Sequence, residues 1–163
     1  MKKIIVIGCP GSGKSTFARA LHNNTKIPLF HLDMMYWNED KTTVGKRVFL
    51  DRLSKVIDKD EWIIDGNYAS TMDLRMAKCD TVFFLDYPLE VCLDGINQRR
   101  GMIRSDMPWV EIEVDTEFVE FIKNFNVEQR EHILSLFDKY GDKNIVIFKN
   151  REEAADFLLK LGI

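Results

Sequence analysis

The chain has 163 residues, a length that suits one domain built around one hydrophobic core. Its formal net charge is -3, and no run of Lys or Arg is long enough for a nucleic-acid or membrane patch. We therefore expect a single domain over residues 1–163, without membrane contact, and the mild acidity argues against nucleic acid as its main partner.

The cysteines and the N-terminus indicate where the protein works. Cys9, Cys79 and Cys92 are odd in number and far apart, and no CxxC or Cys/His spacing typical of a zinc site or a disulfide framework is present. The apolar run 4–7 is too short for the core of a signal peptide, and no apolar window reaches membrane-spanning length. These features predict a cytoplasmic protein, a monomer or a dimer.

Short apolar runs and helical stretches alternate along the whole chain. The runs are nearly continuous and rich in β-branched and aromatic residues, which is typical of parallel strands buried on both faces: 4–7, 29–32, 62–64, 81–85 and 145–148. Helices are predicted between them at about 14–24, 46–59, 72–78, 89–100, 116–140 and 151–161. This alternation predicts an α/β fold with an open, doubly wound sheet and helices on both faces. We expect five parallel strands in the order 2-3-1-4-5.

Local signals refine the second half of the chain. Asn150 and Glu153 have the spacing of a capping box, and Gly141 is placed to end the long helix in the left-handed conformation. The stretch at about 101–116 lacks periodicity although regular structure resumes after it. We interpret it as a small lid over a site, with an acceptor-side flap at about 34–60.

One motif decides the class of protein. Residues 8–15, Gly-Cys-Pro-Gly-Ser-Gly-Lys-Ser, match the P-loop pattern G-x-x-x-x-G-K-[ST] between a strand and a helix. Its backbone N–H groups would cradle the phosphates, Lys14 would reach the β- and γ-phosphates, and Ser15 would ligate Mg²⁺. The predicted nucleotide-binding residues in this segment are Gly8, Pro10, Gly11, Ser12, Gly13, Lys14, Ser15 and Thr16. A glycine-rich turn without a ligand is the alternative.

A magnesium triphosphate site also needs a carboxylate at the end of a neighbouring strand. Asp65 and Asp86 both follow predicted strands that would flank the first strand. Asp65 suits the metal role better. Asp86 precedes Pro88, and we favour a helix-capping or backbone-bonding role for it.

The acceptor side begins at Asp33, directly after the second predicted strand. A carboxylate at the carboxyl end of a parallel strand points toward the crevice and can accept the proton of an attacking hydroxyl. A capping or solvated Asp is the alternative. We expect His31 to be a hydrogen-bonded packing residue, because phosphoryl transfer depends on positioning and charge more than on an imidazole base.

Arginines and aromatic residues complete the predicted site. Arg75 would bind an oxyanion of the substrate, and Arg99 and Arg100, near Arg104 at the lid, would neutralise charge on the transferring phosphoryl group. Trp37 and Tyr68 would contact the acceptor, although Tyr36 and Trp37 could equally pack in the wall. A functional or a merely solvated role is open for Arg47, Arg52 and Arg130. Helical spacing assigns the following residues to the core: Phe118, Phe121, Ile122 and Phe125.

These residues resemble the adenylate-kinase-like P-loop kinases, and most of all the group described as DNA topology modulation protein, or FlaR-type. The resemblance spans nearly the whole chain, through the P-loop, 31–37, 65–75, 85–88 and 99–100. It implies an acceptor-binding helical flap, an arginine-bearing lid and an adenine site near Asn150.

The sequence departs from the family pattern at two places. It has Asp-Gly-Asn-Tyr-Ala at 65–69 where adenylate kinases carry Asp-Gly-Phe-Pro-Arg, and Gly95 where an arginine is expected. The presence of both Asp33 and Arg75 favours a hydroxyl acceptor that also carries an acid or a phosphate.

The residues together predict a kinase that transfers the γ-phosphoryl group of ATP, with Mg²⁺, to a small-molecule or nucleotide acceptor. The alternative is a nucleotide-binding regulatory or DNA-topology-associated protein without turnover. The guanine-recognition motif of GTPases is absent from the sequence.

Overall fold

The computed structural model describes residues 1–113 and 115–162. Val114, which falls in the predicted lid, and Ile163 lie outside the described residues. The strands are β1 (Lys3–Gly8), β2 (Leu29–His31), β3 (Trp62–Asp65), β4 (Thr81–Leu85) and β5 (Asn144–Phe148). The helices are α1 (Lys14–Thr25), α2 (Leu32–Tyr36), α3 (Lys46–Ile57), α4 (Ala69–Lys78), α5 (Leu89–Gln98), α6 (Thr116–Lys139) and α7 (Arg151–Lys160).

The five strands form one parallel sheet in the order β2-β3-β1-β4-β5, as predicted. In the central strand β1 the four residues from Ile4 to Ile7 are completely inaccessible to solvent. Since successive side chains of a strand point to opposite faces, layers of structure cover both faces of the sheet. One group of contacting helices is α1 with α7, and the other is α6 with α4 and α5.

The structure corrects some predicted details. The second strand is shorter than predicted, because the chain turns into α2 at Leu32. Gly141 does not end α6 in the left-handed conformation; the helix ends at Lys139 and Tyr140 follows it with φ of -113°. The capping box at α7 is confirmed: the Glu153 N–H donates to Asn150 Oδ1 over 2.9 Å, and the Lys149 N–H donates to Glu153 Oε2 over 2.7 Å.

Parallel pairing brings the carboxyl ends of the strands to one edge of the sheet. His31 on β2 lies in register with Asp65 on β3, and Gly8 on β1 with Leu85 on β4. The P-loop leaves the central strand at this edge, which is where ligands bind in open α/β sheets. None of the described helices is both long and apolar enough to cross a lipid bilayer.

Candidate functional site

Two cavities meet over the P-loop. We call the first the P-loop cavity; its volume is about 700 Å³, and its walls include Gly11, Gly13, Tyr87 on the β4 side and Ala154 on α7. The second, which we call the aromatic cavity, is about 820 Å³ and includes Asp33, Trp37 and Trp109. Five residues line both cavities and mark the place where they join: Lys14, Ser15, Arg99, Arg104 and Asp106.

Most predicted nucleotide-binding residues line the P-loop cavity. They run without a gap along the chain from Gly11 to Thr16. Gly8 and Pro10 differ: Gly8 lies at the end of β1, and Pro10 lines the aromatic cavity. Lys14 is the first residue of α1, so the N–H groups of the first helical turn are available to an anion.

Two glycines set the shape of the P-loop for different reasons. Gly13 has φ of 91° with open space around it, so its requirement is conformational. Gly11, with φ of 85°, is also crowded, because a Cβ there would lie 2.0 Å from the carbonyl oxygen of Cys92. Gly95 faces the same contact from α5, since a Cβ at Gly95 would lie 2.0 Å from the Gly11 carbonyl oxygen. The close packing of α5 on the P-loop therefore leaves no room for a side chain at position 95, where the resemblance to adenylate kinases predicts an arginine.

Asn67 holds the P-loop at its first residue. The Gly8 N–H donates to Asn67 Oδ1 over 3.1 Å, and Asn67 Nδ2 donates to the Gly8 carbonyl over 2.8 Å. One side-chain amide thus satisfies both backbone groups of Gly8, as a neighbouring strand would. Asn67 also lines the aromatic cavity, so it couples the P-loop to the opposite wall.

Arg75 is not placed to contact a substrate, which corrects its predicted substrate-binding role. It is completely buried and lines neither cavity. Its guanidinium donates to the carbonyls of Gly66 (2.9 Å), Asn67 and Tyr68 (3.2 Å), and to Thr71 Oγ1 (3.2 Å). Arg75 therefore fixes the loop after β3, because one rigid group with five donors satisfies the Gly66 and Asn67 carbonyls and adds to the bonds that Thr71 makes to the Tyr68 carbonyl. Burial lowers the pKa of Arg75.

Asp33 lies where the prediction required. It lines the aromatic cavity on α2, and its Oδ1 accepts a hydrogen bond from the Tyr68 hydroxyl over 2.7 Å. Burial raises the pKa of Asp33, while the Tyr68 hydrogen bond and the nearby charge of Lys14 act in the opposite direction. Tyr68 adopts φ of 39°, an uncommon conformation for a bulky residue. The Arg75 guanidinium donates a hydrogen bond to the Tyr68 carbonyl and stabilises this conformation.

Asp65 and Ser15 are the predicted metal ligands. Asp65 is 4% exposed, its Oδ2 lies 2.7 Å from His31 Nδ1, and its Oδ1 has no hydrogen-bond partner among the described residues. In the described ranges, 1–113 and 115–162, no three His, Cys, Asp or Glu side chains form a metal cluster. Ser15 lines both cavities, whereas Asp65 lines neither. A hydroxyl and a carboxylate are oxygen donors of the kind that Mg²⁺ accepts, and this hard cation takes few protein ligands and completes its shell with water and phosphate oxygens. His31 is a hydrogen-bonding partner of Asp65, in line with its predicted packing role.

The lid arginines are neutralised by acidic residues. Arg99 Nε lies 3.1 Å from Glu111, and Arg104 lies 3.2 Å from the same carboxylate. Asp106, which is buried, pairs with Arg104 at 3.6 Å and with Arg19 at 2.9 Å. Burial and the neighbouring Arg104 lower the pKa of Arg99.

Arg100 differs from these arginines. It is exposed, it lines only the aromatic cavity, and its single polar contact within the described chain is a long one to Asn97 at 3.5 Å. Arg99 and Arg100 are adjacent in sequence, but Arg99 lines both cavities at their junction and Arg100 lines only the aromatic cavity.

Aromatic residues dominate the second cavity. Trp37 and Tyr68 line it as predicted, and the Trp37 ring meets Trp109 edge to face with centroids 5.3 Å apart. The assignment of Phe121 to the core is wrong, because it lines this cavity and is 40% exposed. Phe118 also lines the cavity, but it packs against the core as predicted. Ile122 and Phe125 are buried, as expected.

Two further predictions need correction. The Asn150 side chain caps α7 and lines neither cavity, whereas the next residue, Arg151, lines the P-loop cavity.

Asp86 is not a capping or backbone-bonding carboxylate: it pairs with Arg130 at 2.9 and 3.0 Å and with Lys149 at 2.5 Å. Those charges lower its pKa, against the effect of burial.

Sequence reasoning missed four site residues: Asn67, Asp106, Trp109 and Glu111. Asn67 differs from the residue found in adenylate kinases at that point, and this departure was the one available signal. The others lie in an aperiodic stretch, where no spacing rule predicts the direction of a side chain.

Comparison with solved structures identifies the fold. The chain superposes on shikimate kinase from Acinetobacter baumannii in complex with shikimate, with a TM-score of 0.64 and 14% identity over 99% of this chain and 90% of that one. Shikimate kinase from Bacteroides thetaiotaomicron gives 0.60 and 19% over 97% and 94%, and a sugar kinase from Janibacter sp. HTCC2649 gives 0.54 and 15% over 99% and 94%. The chain has the P-loop kinase fold.

Sequence comparison adds no closer assignment. No protein-family model matches the chain, and no curated protein sequence matches it. At these identities the structural likeness establishes the fold, whereas activity must be argued from the site.

Proposed function

We propose that this protein is an ATP-dependent phosphotransferase that moves the γ-phosphoryl group of Mg-ATP to a hydroxyl group of a small acceptor. The observation that carries the proposal is the junction of the two cavities. Lys14 and Arg99 line both, and Asp33 lines the aromatic cavity close enough to Lys14 for the two charges to interact. A donor in one cavity and an acceptor in the other would meet between a cation that binds phosphate and a carboxylate that accepts a proton.

The donor side follows from the P-loop. Backbone N–H groups at the start of α1 bind the phosphates, and the Lys14 ammonium reaches the β- and γ-phosphate oxygens. Ser15 and Asp65 would hold Mg²⁺, which when bound neutralises charge on those oxygens. Tyr87, Arg151 and Ala154 line the far end of the P-loop cavity and would contact the base.

The acceptor side uses Asp33. Its carboxylate accepts the proton of the attacking hydroxyl, and Tyr68 orients it through the 2.7 Å hydrogen bond. The hydroxyl oxygen bonds to the γ-phosphorus while the bond from that phosphorus to the β,γ-bridging oxygen breaks, so ADP leaves. Arg99, at the junction, offers its charge to the transferring group.

We assign residues 101–113 to a lid over both cavities. Met102 and Ile103 line the P-loop cavity, and Trp109 and Ile112 line the aromatic one. The Gly101 N–H donates to the Glu111 carbonyl over 2.7 Å and closes this segment into a loop. A lid in this position would exclude water that otherwise hydrolyses ATP.

Calorimetry with Mg-ATP, followed by an ADP-release assay against hydroxyl compounds, tests this function. We expect micromolar to millimolar binding of ATP and its loss in Lys14→Ala, with the exposed Lys55→Ala as control. We also expect ADP release that depends on one acceptor class. Absence of binding heat in the wild-type protein, or the same heat in Lys14→Ala, contradicts the proposal. ATP binding with salt-dependent DNA binding and no turnover would instead support the regulatory alternative.

A further inference from the structure

We infer that the acceptor is an uncharged compound in which a planar ring is joined through a saturated spacer to a hydroxyl, the chemistry of a nucleoside. This inference rests on the proposed phosphotransferase function and concerns the aromatic cavity of the same site.

The first observation is a row of rings that begins at the reactive carboxylate. The Tyr68 hydroxyl bonds Asp33, the Tyr68 ring lies 5.1 Å from Tyr36, Tyr36 lies 5.1 Å from Trp37, and Trp37 lies 5.3 Å from Trp109. All four rings line the cavity. Successive rings of this row are in contact, from Tyr68 beside Asp33 to Trp109 on the lid.

The second observation separates packing rings from available ones. Tyr36 and Tyr68 each contact Phe49, which is 3% exposed, so these two rings belong to the hydrophobic core as well. Trp37 and Trp109 come from different segments, the end of α2 and the lid, and each is half-buried. Their rings line the same cavity as Asp33, and the flat part of a bound acceptor would stack on them.

The opposite wall is also aromatic. Phe118 and Phe121, on the first turns of α6, stack with an interplanar angle of 9° and centroids 6.4 Å apart. A side chain as large as Phe121 that is 40% exposed and faces a cavity offers apolar surface to a ligand.

The third observation is that the charges of this cavity cancel. Its walls carry five basic residues, Lys14, Lys41, Arg99, Arg100 and Arg104, and five acidic ones, Asp33, Asp106, Glu111, Glu113 and Asp115. Lys14 serves the phosphates of the donor, and Glu111 lies within 3.2 Å of both Arg99 and Arg104. A carboxylate or phosphate on the acceptor is normally held by arginines that are free to form paired hydrogen bonds.

Arg75 was the residue expected to bind such an acid, and it is buried under the loop after β3. The remaining basic residues of the wall, Lys41 and Arg100, are both exposed. An acidic acceptor therefore has only these two exposed side chains to pair with unless it displaces the Glu111 ion pairs, whereas a neutral ring compound leaves those pairs in place.

The carboxylate at the start of the ring row favours an aliphatic hydroxyl over a phenol. An aliphatic hydroxyl is the weaker acid, so its attack depends more on a general base such as Asp33. The sugar of a nucleoside supplies such a hydroxyl, and its base supplies the planar ring. In the step, the hydroxyl oxygen bonds the γ-phosphorus, the phosphorus–bridging-oxygen bond breaks, and Asp33 receives the proton, which gives ADP and a nucleoside monophosphate.

The experiment measures ADP release at saturating Mg-ATP with four acceptor sets: nucleosides, nucleoside monophosphates, shikimate and hexoses. We expect kcat/KM to be highest for a nucleoside. In Trp109→Leu we expect KM for that nucleoside to rise about 10-fold or more while KM for ATP stays constant, because stacking on an aromatic ring is lost. Trp109→Phe, which keeps a ring, should recover most of the affinity.

The outcomes separate this inference from the proposed function. A higher kcat/KM for shikimate, a hexose or a nucleoside monophosphate overturns the acceptor class and leaves the kinase in place. ATP binding without turnover of any nucleoside also overturns it. An equal KM in Trp109→Leu and the wild type overturns the stacking role, while a protein that binds no ATP overturns the proposed function itself.

Discussion

The two cavities are built in different ways. The P-loop cavity takes its phosphate-binding wall from one continuous segment, 11–16, whose contacts come mostly from the backbone. The aromatic cavity takes its walls from the end of α2, the loop after β3, the lid and α6. Backbone donors in a short loop depend on glycines and a helix start, whereas side chains from four segments depend on how those segments pack.

The loop after β3 connects the two. Asn67 bonds Gly8 on the P-loop side, Tyr68 bonds Asp33 on the acceptor side, and Arg75 bonds the carbonyls of both residues. The aromatic cavity and the phosphate-binding loop therefore share one support, although they are built in different ways. Variants on each side, and of the support, should therefore have separable effects.

The largest effect is expected on the acceptor side. Asp33→Asn should lower turnover by about 10²- to 10⁴-fold, because the general base is lost, and should leave ATP affinity unchanged. Steady-state ADP release and calorimetry measure the two quantities, with the exposed Asp51→Asn as control. Turnover equal to that of the wild type would remove Asp33 from the mechanism.

The stability of this variant gives an independent check on its fold. Burial raises the pKa of Asp33, so its favourable contribution to folding is present at low pH and is lost as the pH rises through the pKa of the folded state. At neutral pH the ionised carboxylate is therefore a cost, and Asp33→Asn should unfold at the same or a higher denaturant concentration.

Arg75→Met tests the shared support. It should lower the free energy of unfolding by about 1–3 kcal/mol for each buried carbonyl left without a donor, as measured by chemical denaturation. The exposed Arg47→Met is the control and should change stability little. If the variant has unchanged stability but a higher KM for the acceptor, Arg75 binds the substrate and does not support the loop.

Tyr68→Phe tests how the support tunes Asp33. The Tyr68 hydrogen bond lowers the pKa of Asp33, so its removal should raise that pKa further. Since the ionised carboxylate is the active form, the acid limb of the kcat–pH profile should move to higher pH. Lys14, Asp65 and Asp106 also act on Asp33, and the variant leaves all three in place. An unshifted acid limb would contradict the assignment of the base.

The smallest effect is expected at α7. Asn150→Ala should lower the free energy of unfolding by about 1 kcal/mol, because it removes the helix cap, and should leave the KM for ATP unchanged. Thermal denaturation and ATP-dependent kinetics measure the two. The exposed Asp156→Ala, within the same helix, controls for a general effect of substitution. A several-fold rise in the KM for ATP would restore Asn150 to the adenine site.

The sheet and the P-loop were predictable for the same reason. Continuous apolar runs such as 4–7 and 81–85 allow little besides buried parallel strands, and the spacing of Gly8, Gly13 and Lys14 has a meaning within one segment. The position of Asp33 was also predictable, because it directly follows a strand whose carboxyl end lies at the crevice.

The roles of the other side chains depend on contacts with residues distant in sequence, so the sequence did not predict them. Arg75 lies on α4 and Arg99 directly follows α5, yet Arg75 is buried beneath a loop and Arg99 lines both cavities. Phe121 and Phe125 share a helix and a helical spacing, and only Phe125 is buried. Periodicity gives the face of a helix but does not say whether another element covers that face.

By itself, the sequence determined the positions of the strands, the phosphate-binding loop and the carboxylate after the second strand, because each depends on residues that are neighbours along the chain. Only the tertiary structure decided that Arg75 supports a loop, that Glu111 neutralises Arg99, and that Trp37 meets Trp109. Those contacts join residues distant in sequence, and their existence depends on the packing of whole elements, which no local pattern encodes.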